Sequence, residues 1–414
     1  MLRSAWREPD RYNRGVKLGI GALAAGNPTG LGRLCRNAVI GLAEAGDGHE
    51  IHVFLRSESD RRLIEEEATP PLRSALDRLH WHYGTVPRMP VVQRYLLEQR
   101  WIPAQAAQLG LDAYLGCDFS LPRGLRIRRR MVILPDMLPF THPGTVSFTA
   151  GILYRQAIRH AVSSGAALLC ISDATRRLLL ERFQQAADQA ETLLPPMSPM
   201  LWTYADRNGS IDLGMQVQGS LHMYKSQRPY ILAVGVRGLR KNTDLLVRIY
   251  RELVLSGDYK GSLVLAGGTG EYHSANSSPK LAVVALGQQQ GIPADDSPAV
   301  HDIGRVNDFD LSRLYRSADL LVNLSVEEGF GYPVLEALAH GTPALVSRGS
   351  AMREIAAGGI AECNLEPAEA RVKLLATLNA LPLLRREAAE FELEGFSVGT
   401  YGRRILELFE SMES

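Results

Sequence analysis

This 414-residue sequence has only four cysteines, and Cys35, Cys117, Cys170 and Cys363 stand far apart with no Cys-x-x-Cys pair. Zinc ribbons and dithiol redox centres therefore find no ligands, and a reduced, intracellular chain is the simpler expectation. Charge excess is missing too, because 46 basic and 45 acidic side chains leave a formal charge of +1. A dedicated nucleic-acid binder needs a cationic surplus to displace phosphate counterions, so that class is excluded. No apolar run reaches the roughly 18 residues of a membrane-crossing helix. The first run, Leu18 to Ala25, follows a polar, Arg-rich start and reads as a buried strand. Lysine is scarce, with six beside forty arginines. A lysine in a chemically suggestive place is thus less attributable to composition than an arginine would be.

What is present is an ordinary globular balance, 45% hydrophobic and 22% charged. The length suggests two or three domains. Short apolar runs alternate with amphipathic segments, the mark of βαβ units and a parallel sheet. Strands are expected at Lys17 to Leu23, Ile51 to Leu55, Ala113 to Cys117, Met131 to Leu134 and Leu168 to Ser172. The pattern lapses in a polar stretch and restarts at Tyr230 to Val234, Gly261 to Ala266, His301 to Gly304, Leu320 to Leu324 and Ala344 to Ser347. The expected organisation is an α/β domain over 1–205, a linker over 206–228, a second α/β domain over 229–390, and a C-terminal segment over 391–414. That last segment holds an amphipathic helix, Phe396 to Met412, able to cross back to the first half. Two such halves would face each other across a cleft, where ligands of parallel α/β sheets usually bind.

The most informative stretch runs from Ala318 to Ser347. A strand ends in acidic residues and a Gly-Phe-Gly loop; Pro333 suits the first turn of a helix, and Gly341-Thr342-Pro343 ends it. Loop amides and a helix N-terminus favour an anion or sugar oxygen by ~0.3–1 kcal/mol. Glu328 and Glu336 stand eight residues apart, one at the loop mouth and one a turn inside the helix. A second stretch, Tyr230 to Asp244, is a strand running into a basic loop with Arg237, Arg240 and Lys241. A third, Gly26 to Arg36, opens a helix with Gly30-Leu31-Gly32, where backbone can approach a phosphate. It lacks the third glycine and the acid of a dinucleotide fingerprint.

Together these residues resemble the retaining glycosyltransferases of family 4, which have GT-B architecture: two Rossmann-like parallel-sheet domains facing across a cleft. The hallmark Glu-x7-Glu stands as Glu328, Gly329, Phe330, Gly331, Tyr332, Pro333, Val334, Leu335 and Glu336, followed by Gly341-Thr342-Pro343. The resemblance implies that Glu328 and the amides of Gly329, Phe330 and Gly331 hold the donor sugar, while Glu336 holds the ribose hydroxyls. Lys241 and an arginine, Arg237 or Arg240, would neutralise the donor diphosphate. Gly30 and Gly32 would line the cleft opposite it, and main-chain groups of Gly304, Arg305 and Val306 would meet the base. Val132 to Pro143 resembles the family's His-Asp stretch: Asp136 is present, but Pro135 replaces the histidine. His142, six residues after Asp136, supplies an imidazole or is simply an exposed loop residue; Ser172 is another family-like position.

The implied reaction moves a hexosyl unit from a nucleoside-diphosphate sugar to a hydroxyl with retention, without a cofactor or a metal ion. The form of the phosphate loop resembles mannosyl- and rhamnosyltransferases of bacterial polysaccharide synthesis, which makes GDP-mannose the first donor candidate and UDP-hexoses the next. A saccharide or lipid-linked saccharide is the expected acceptor. Arg123, Arg126, Arg128, Arg129 and Arg130 form a basic cluster that either meets an anionic membrane face or is a solvated loop. The replaced histidine keeps open a catalytically silent nucleotide-sugar-binding subunit.

Overall fold

The computed structural model describes residues 15–84, 94–205, 229–235, 238–268, 284–285 and 299–412. The chain divides into two compact units, residues 1–200 together with 394–414, and residues 201–393.

The first unit is built on seven strands: β1 (Lys17–Gly21), β2 (Glu50–Leu55), β3 (His80–Tyr83), β4 (Ala113–Gly116), β5 (Arg129–Leu134), β6 (Ala167–Cys170) and β7 (Ala190–Thr192). All pair in parallel in the order β3-β2-β1-β4-β5-β6-β7. The second has β8 (Tyr230–Val234), β9 (Ser262–Ala266), β10 (Val284–Ala285), β11 (Ala299–Gly304), β12 (Leu320–Asn323), β13 (Ala344–Ser347) and β14 (Ile360–Cys363). Its order is β10-β11-β9-β8-β12-β13-β14, six parallel strands with the two-residue β10 antiparallel at one edge. In each sheet the winding reverses once, between β1 and β4 and between β8 and β12. Such reversals create the crevices where doubly wound folds bind ligands.

The interior strands are near-continuous apolar runs because helices cover both faces of a parallel sheet. In the second unit Ile231, Leu263, Leu320 and Val322 pack with Tyr250 and Leu253 of the helix Thr243–Leu255. Each such burial contributes about 1.5–3 kcal/mol. All ten expected strands are present. Arg129 and Arg130 correct the expected start of the fourth, because β5 begins with them and not at Met131. Four further strands, β3, β7, β10 and β14, are the edges of the two sheets. The expected linker, 206–228, lies outside the described residues.

The C-terminal helix Val398–Ser411 belongs to the first unit and packs against the helix Gly30–Ala45. Among the described residues no helix is long and apolar enough to cross a membrane.

Candidate active site

The loop after β8 and the loop after β12 leave the second sheet at its winding reversal. The two strands pair at only two positions, Leu320 with Ile231 and Leu321 with Leu232. Beyond these the strands part, and a small pocket opens that is lined by Val234, Gly235, Lys241, Thr243, Val322 and Asn323. Gly235 is needed here because a Cβ would lie 3.0 Å from Lys241 Cε, so the lysine stem lies directly over this backbone.

Glu328 is the centre of the site. Arg240 Nη1 donates to its Oε2 at 2.6 Å, Lys241 Nζ donates to its Oε1, and Ser325 Oγ donates to Oε1 at 2.8 Å. Arg240 Nη1 also reaches the Glu327 carbonyl at 3.1 Å, and Val326 N–H donates to the Arg240 carbonyl at 2.9 Å, so the two loops are tied through backbone as well. The Glu328 side chain is only 10% exposed. Burial alone would raise its pKa, but the charges of Lys241 and Arg240 outweigh this and hold the carboxyl at about 2. Burial pushes the Lys241 pKa down; Glu328 opposes that fall and Arg240 adds to it. Of the two arginines left open by the sequence, Arg240 belongs to this triad, whereas Arg237 lies outside the described residues.

The second acid is set differently. Gly331 precedes the helix Tyr332–Ala339 with φ +105°, and a Cβ there would lie 2.4 Å from Met352 Cγ. A left-handed residue at this point turns the chain from the Gly329-Phe330 loop into the helix, with Pro333 in the first turn. Phe330 is buried and meets Tyr332 edge to face at 5.5 Å. One turn on, Glu336 is 2% exposed and accepts a 2.7 Å hydrogen bond from Tyr315 Oη. Neither Tyr315 nor Ser325 was singled out by the sequence. Ser325 had a faint signal in its place just past the strand end, and Tyr315 had none.

Arg305 and Val306 follow the turn at Gly304, which has φ +67°. Arg305 is exposed, with its guanidinium over Gly268, where a Cβ would lie 2.7 Å from Nε. One Asp-x-Asp, Asp308-Phe309-Asp310, occurs in the chain and opens the helix Asp308–Ser317. Asn307 Oδ1 accepts from Asp310 N–H at 2.8 Å, and Asn307 Nδ2 donates to Asp310 Oδ2 at 3.0 Å, so this acidic pair serves the helix N-terminus.

In the first unit Gly30 begins the helix Gly30–Ala45 and is exposed. Gly32 is the tighter position: a Cβ would lie 1.8 Å from the Asn27 carbonyl oxygen. Arg36 holds the same loop through the Ala25 carbonyl at 2.7 Å. Asp136 Oδ1 accepts from Leu138 N–H at 3.1 Å, setting the turn into the short helix Leu138–Thr141. Ser172 caps the helix Asp173–Arg182 by accepting from Thr175 N–H at 3.0 Å.

Each unit is a doubly wound α/β sheet, and the chain shares the GT-B fold of the solved glycosyltransferases it resembles. Residues 222–370, about a third of the chain, match the family model described as glycosyl transferases group 1. The chain is similar to O-antigen chain mannosyltransferase B of Escherichia coli, 26% identical over 253 residues, 61% of either chain. It is also similar to O-antigen chain mannosyltransferase RfbU of Salmonella typhimurium, 22% identical over 256 residues, 62% of either chain. The chain thus spans about three fifths of the length of these curated relatives. In fold it is similar to Anabaena HepE solved with UDP and glucose, with a TM-score of 0.65, 15% identity, and coverage of 96% of this chain and 100% of that one.

Proposed function

We propose that this protein is a retaining glycosyltransferase that moves a hexosyl unit from a nucleoside-diphosphate sugar to a saccharide or lipid-linked saccharide, with GDP-mannose as the first donor to test. The observation that carries this reading is the Arg240–Glu328–Lys241 triad, in which two buried-edge cations and one carboxylate meet where the second sheet reverses. Breaking the bond to the diphosphate leaves an oxocarbenium-like sugar and a nucleoside diphosphate whose terminal phosphate has gained a second negative charge. Lys241 and Arg240 stabilise the leaving group by preorganised charge, while Glu328 and the Gly329–Gly331 amides face the sugar. Front-face transfer, in which the leaving phosphate takes the acceptor proton, needs no protein nucleophile, metal ion or cofactor. Asp136 is assigned a catalytic role, and the Gly30–Gly32 turn a part in donor binding. The two mannosyltransferase relatives support a mannosyl donor, and the HepE complex with UDP and glucose keeps UDP-hexoses as the alternative. The exposed Arg123, Arg126 and Arg128 are the residues we assign to an anionic membrane face.

The test incubates the purified protein with GDP-mannose, GDP-rhamnose, UDP-glucose and UDP-galactose, with and without saccharide acceptors. Slow donor hydrolysis by one of them, accelerated by an acceptor, is expected, with an α-linked product by NMR and no loss of rate in EDTA. Binding without turnover under every condition would support the silent subunit instead.

A further inference from the structure

Glu336 is a carboxylate buried to 2% exposure, and what holds it comes from a different helix. Tyr315, in the last turns of the helix Asp308–Ser317, is 0% exposed and donates from Oη to Glu336 Oε2 at 2.7 Å. The phenol is itself built in. Its ring stacks on His340 at 5.6 Å between centroids and 28° between planes. Thr342 Oγ1 donates to the Tyr315 carbonyl. His340 is fixed at both nitrogens: Nδ1 lies 2.7 Å from the Glu336 carbonyl and Nε2 lies 2.8 Å from Ser312 Oγ. A carbonyl only accepts, so Nδ1 carries the proton, and in the neutral ring Nε2 accepts from Ser312. The arrangement therefore runs in a closed circuit from helix 308–317 to helix 332–339 and back, with the Glu336 carboxylate as the group it orients.

We propose that Tyr315 is the positioning residue for donor recognition: its phenol occupies Oε2 of Glu336 and so sets the carboxylate to receive the ribose hydroxyls of a nucleoside diphosphate. The inference rests on the reading that Glu336 holds the ribose. A carboxylate carried on an unbranched two-carbon stem has several rotamers, and fixing one of its oxygens removes that freedom before the ligand arrives. Ser312 and His340 act one step further out, by holding the ring that holds the acid. Tyr315 does not touch the ligand, so its loss removes selectivity for the ribose diol and leaves the phosphate contacts in place.

The experiment titrates GDP, UDP and their 2′,3′-dideoxy forms into the full-length wild type, Tyr315→Phe and Ser312→Ala by calorimetry. Wild type is expected to bind the ribonucleotide roughly tenfold more tightly than the dideoxy form, the scale of a hydrogen bond to a charged group. Tyr315→Phe should lose roughly five- to tenfold toward the ribonucleotide and less than twofold toward the dideoxy form. Ser312→Ala, which keeps the phenol and releases His340, should show the same selectivity at two- to threefold, and it carries the test alone should the phenylalanine variant not fold. Equal weakening of both nucleotide forms would reduce these residues to a structural role and overturn the proposal. A wild type that binds GDP or UDP without discriminating the dideoxy form would overturn the ribose assignment and this inference with it, while leaving the glycosyltransferase reading standing. A wild type that binds neither nucleotide would overturn both.

Discussion

Glu328 shares its two oxygens between a lysine and an arginine, so each cation of the site already has a counter-ion within the protein. A diphosphate that binds Arg240 and Lys241 competes with that carboxylate. The two obvious substitutions should then act in opposite directions on nucleotide affinity. Lys241→Ala removes a charge-assisted contact worth roughly 1.5–3 kcal/mol, and GDP or UDP should bind at least tenfold more weakly. Glu328→Gln removes the competitor, and the same nucleotides should bind severalfold more tightly while sugar transfer falls, because the sugar loses the carboxylate proposed to face it. Calorimetric titration beside an initial-rate assay separates the two effects; weaker nucleotide binding in Glu328→Gln would show that the carboxylate does not compete. The triad also marks the acid limb of stability. The carboxyl lies at about 2 in the folded protein against an ordinary 4.5, so its stabilisation is complete above pH 4.5 and is lost as the pH falls toward 2. The span corresponds to at most about 3 kcal/mol. Urea midpoints measured from pH 5 to pH 3 should fall for wild type and fall less steeply for Glu328→Gln.

At the scale of elements, what the sequence disclosed depended on how many sides of an element are covered. Interior strands such as β8, YILAV, and β13, ALVS, are buried on both faces and read as apolar runs. The edges do not: β3 is His-Trp-His-Tyr, β7 is Ala-Glu-Thr and β14 is Ile-Ala-Glu-Cys, each half-exposed or polar and too short to show a period. Pairing to a neighbour makes them strands, and a neighbour is not visible in local sequence. The site divides along the same line. Glu328, Gly331, Pro333 and Glu336 were legible because one continuous loop-to-helix turn carries them, and Lys241 because lysine is rare. The Arg240–Glu328 pair and the Tyr315–Glu336 bond were not, since each joins segments brought together only by the sheet and its covering helices. The turn at Gly331 gives a direct test of how much the loop matters. Gly331→Ala forces a Cβ into a left-handed conformation against the Met352 side chain, at an expected cost of about 2–3 kcal/mol. Because the turn sets the Gly329–Gly331 amides proposed to hold the donor sugar, donor affinity should fall by more than tenfold in protein that remains folded by circular dichroism. Unchanged affinity would separate the turn from the donor site.

The whole molecule is not divided where the sequence changes character, because the last segment returns to the first unit. Residues 1–205 carry 25 basic and 19 acidic side chains, an excess of +6 that leaves −5 for the remainder. The segment 394–414 adds four acidic and two basic side chains to the first unit, so the physical units stand at +4 and −3. The near-zero total is a cancellation between two bodies of opposite sign, and the basic one holds the exposed arginines of residues 123–128. The returning segment packs so closely that backbone meets backbone. Gly41 and Gly402 face each other where the helices 30–45 and 398–411 cross, and a Cβ on Gly402 would lie 2.0 Å from the Gly41 carbonyl oxygen. Around this contact Tyr401, Ile405, Leu408 and Phe409 are buried, and Arg404 pairs with Glu191 at 2.6 Å. A backbone oxygen cannot swing aside as a flexible side chain can, so Gly402→Val must push the helices apart at a cost of about 3 kcal/mol. In a unit of this size that lowers the unfolding temperature by roughly 6 to 12 °C. The residues of the triad and the Gly331 turn all lie in the other unit. Scanning calorimetry of Gly402→Val should therefore show an earlier transition while GDP or UDP still binds with wild-type affinity below it. A variant that melts as wild type does would mean that the C-terminal helix is dispensable to the first unit, and loss of nucleotide binding in the folded variant would mean that the donor site depends on more than residues 201–393.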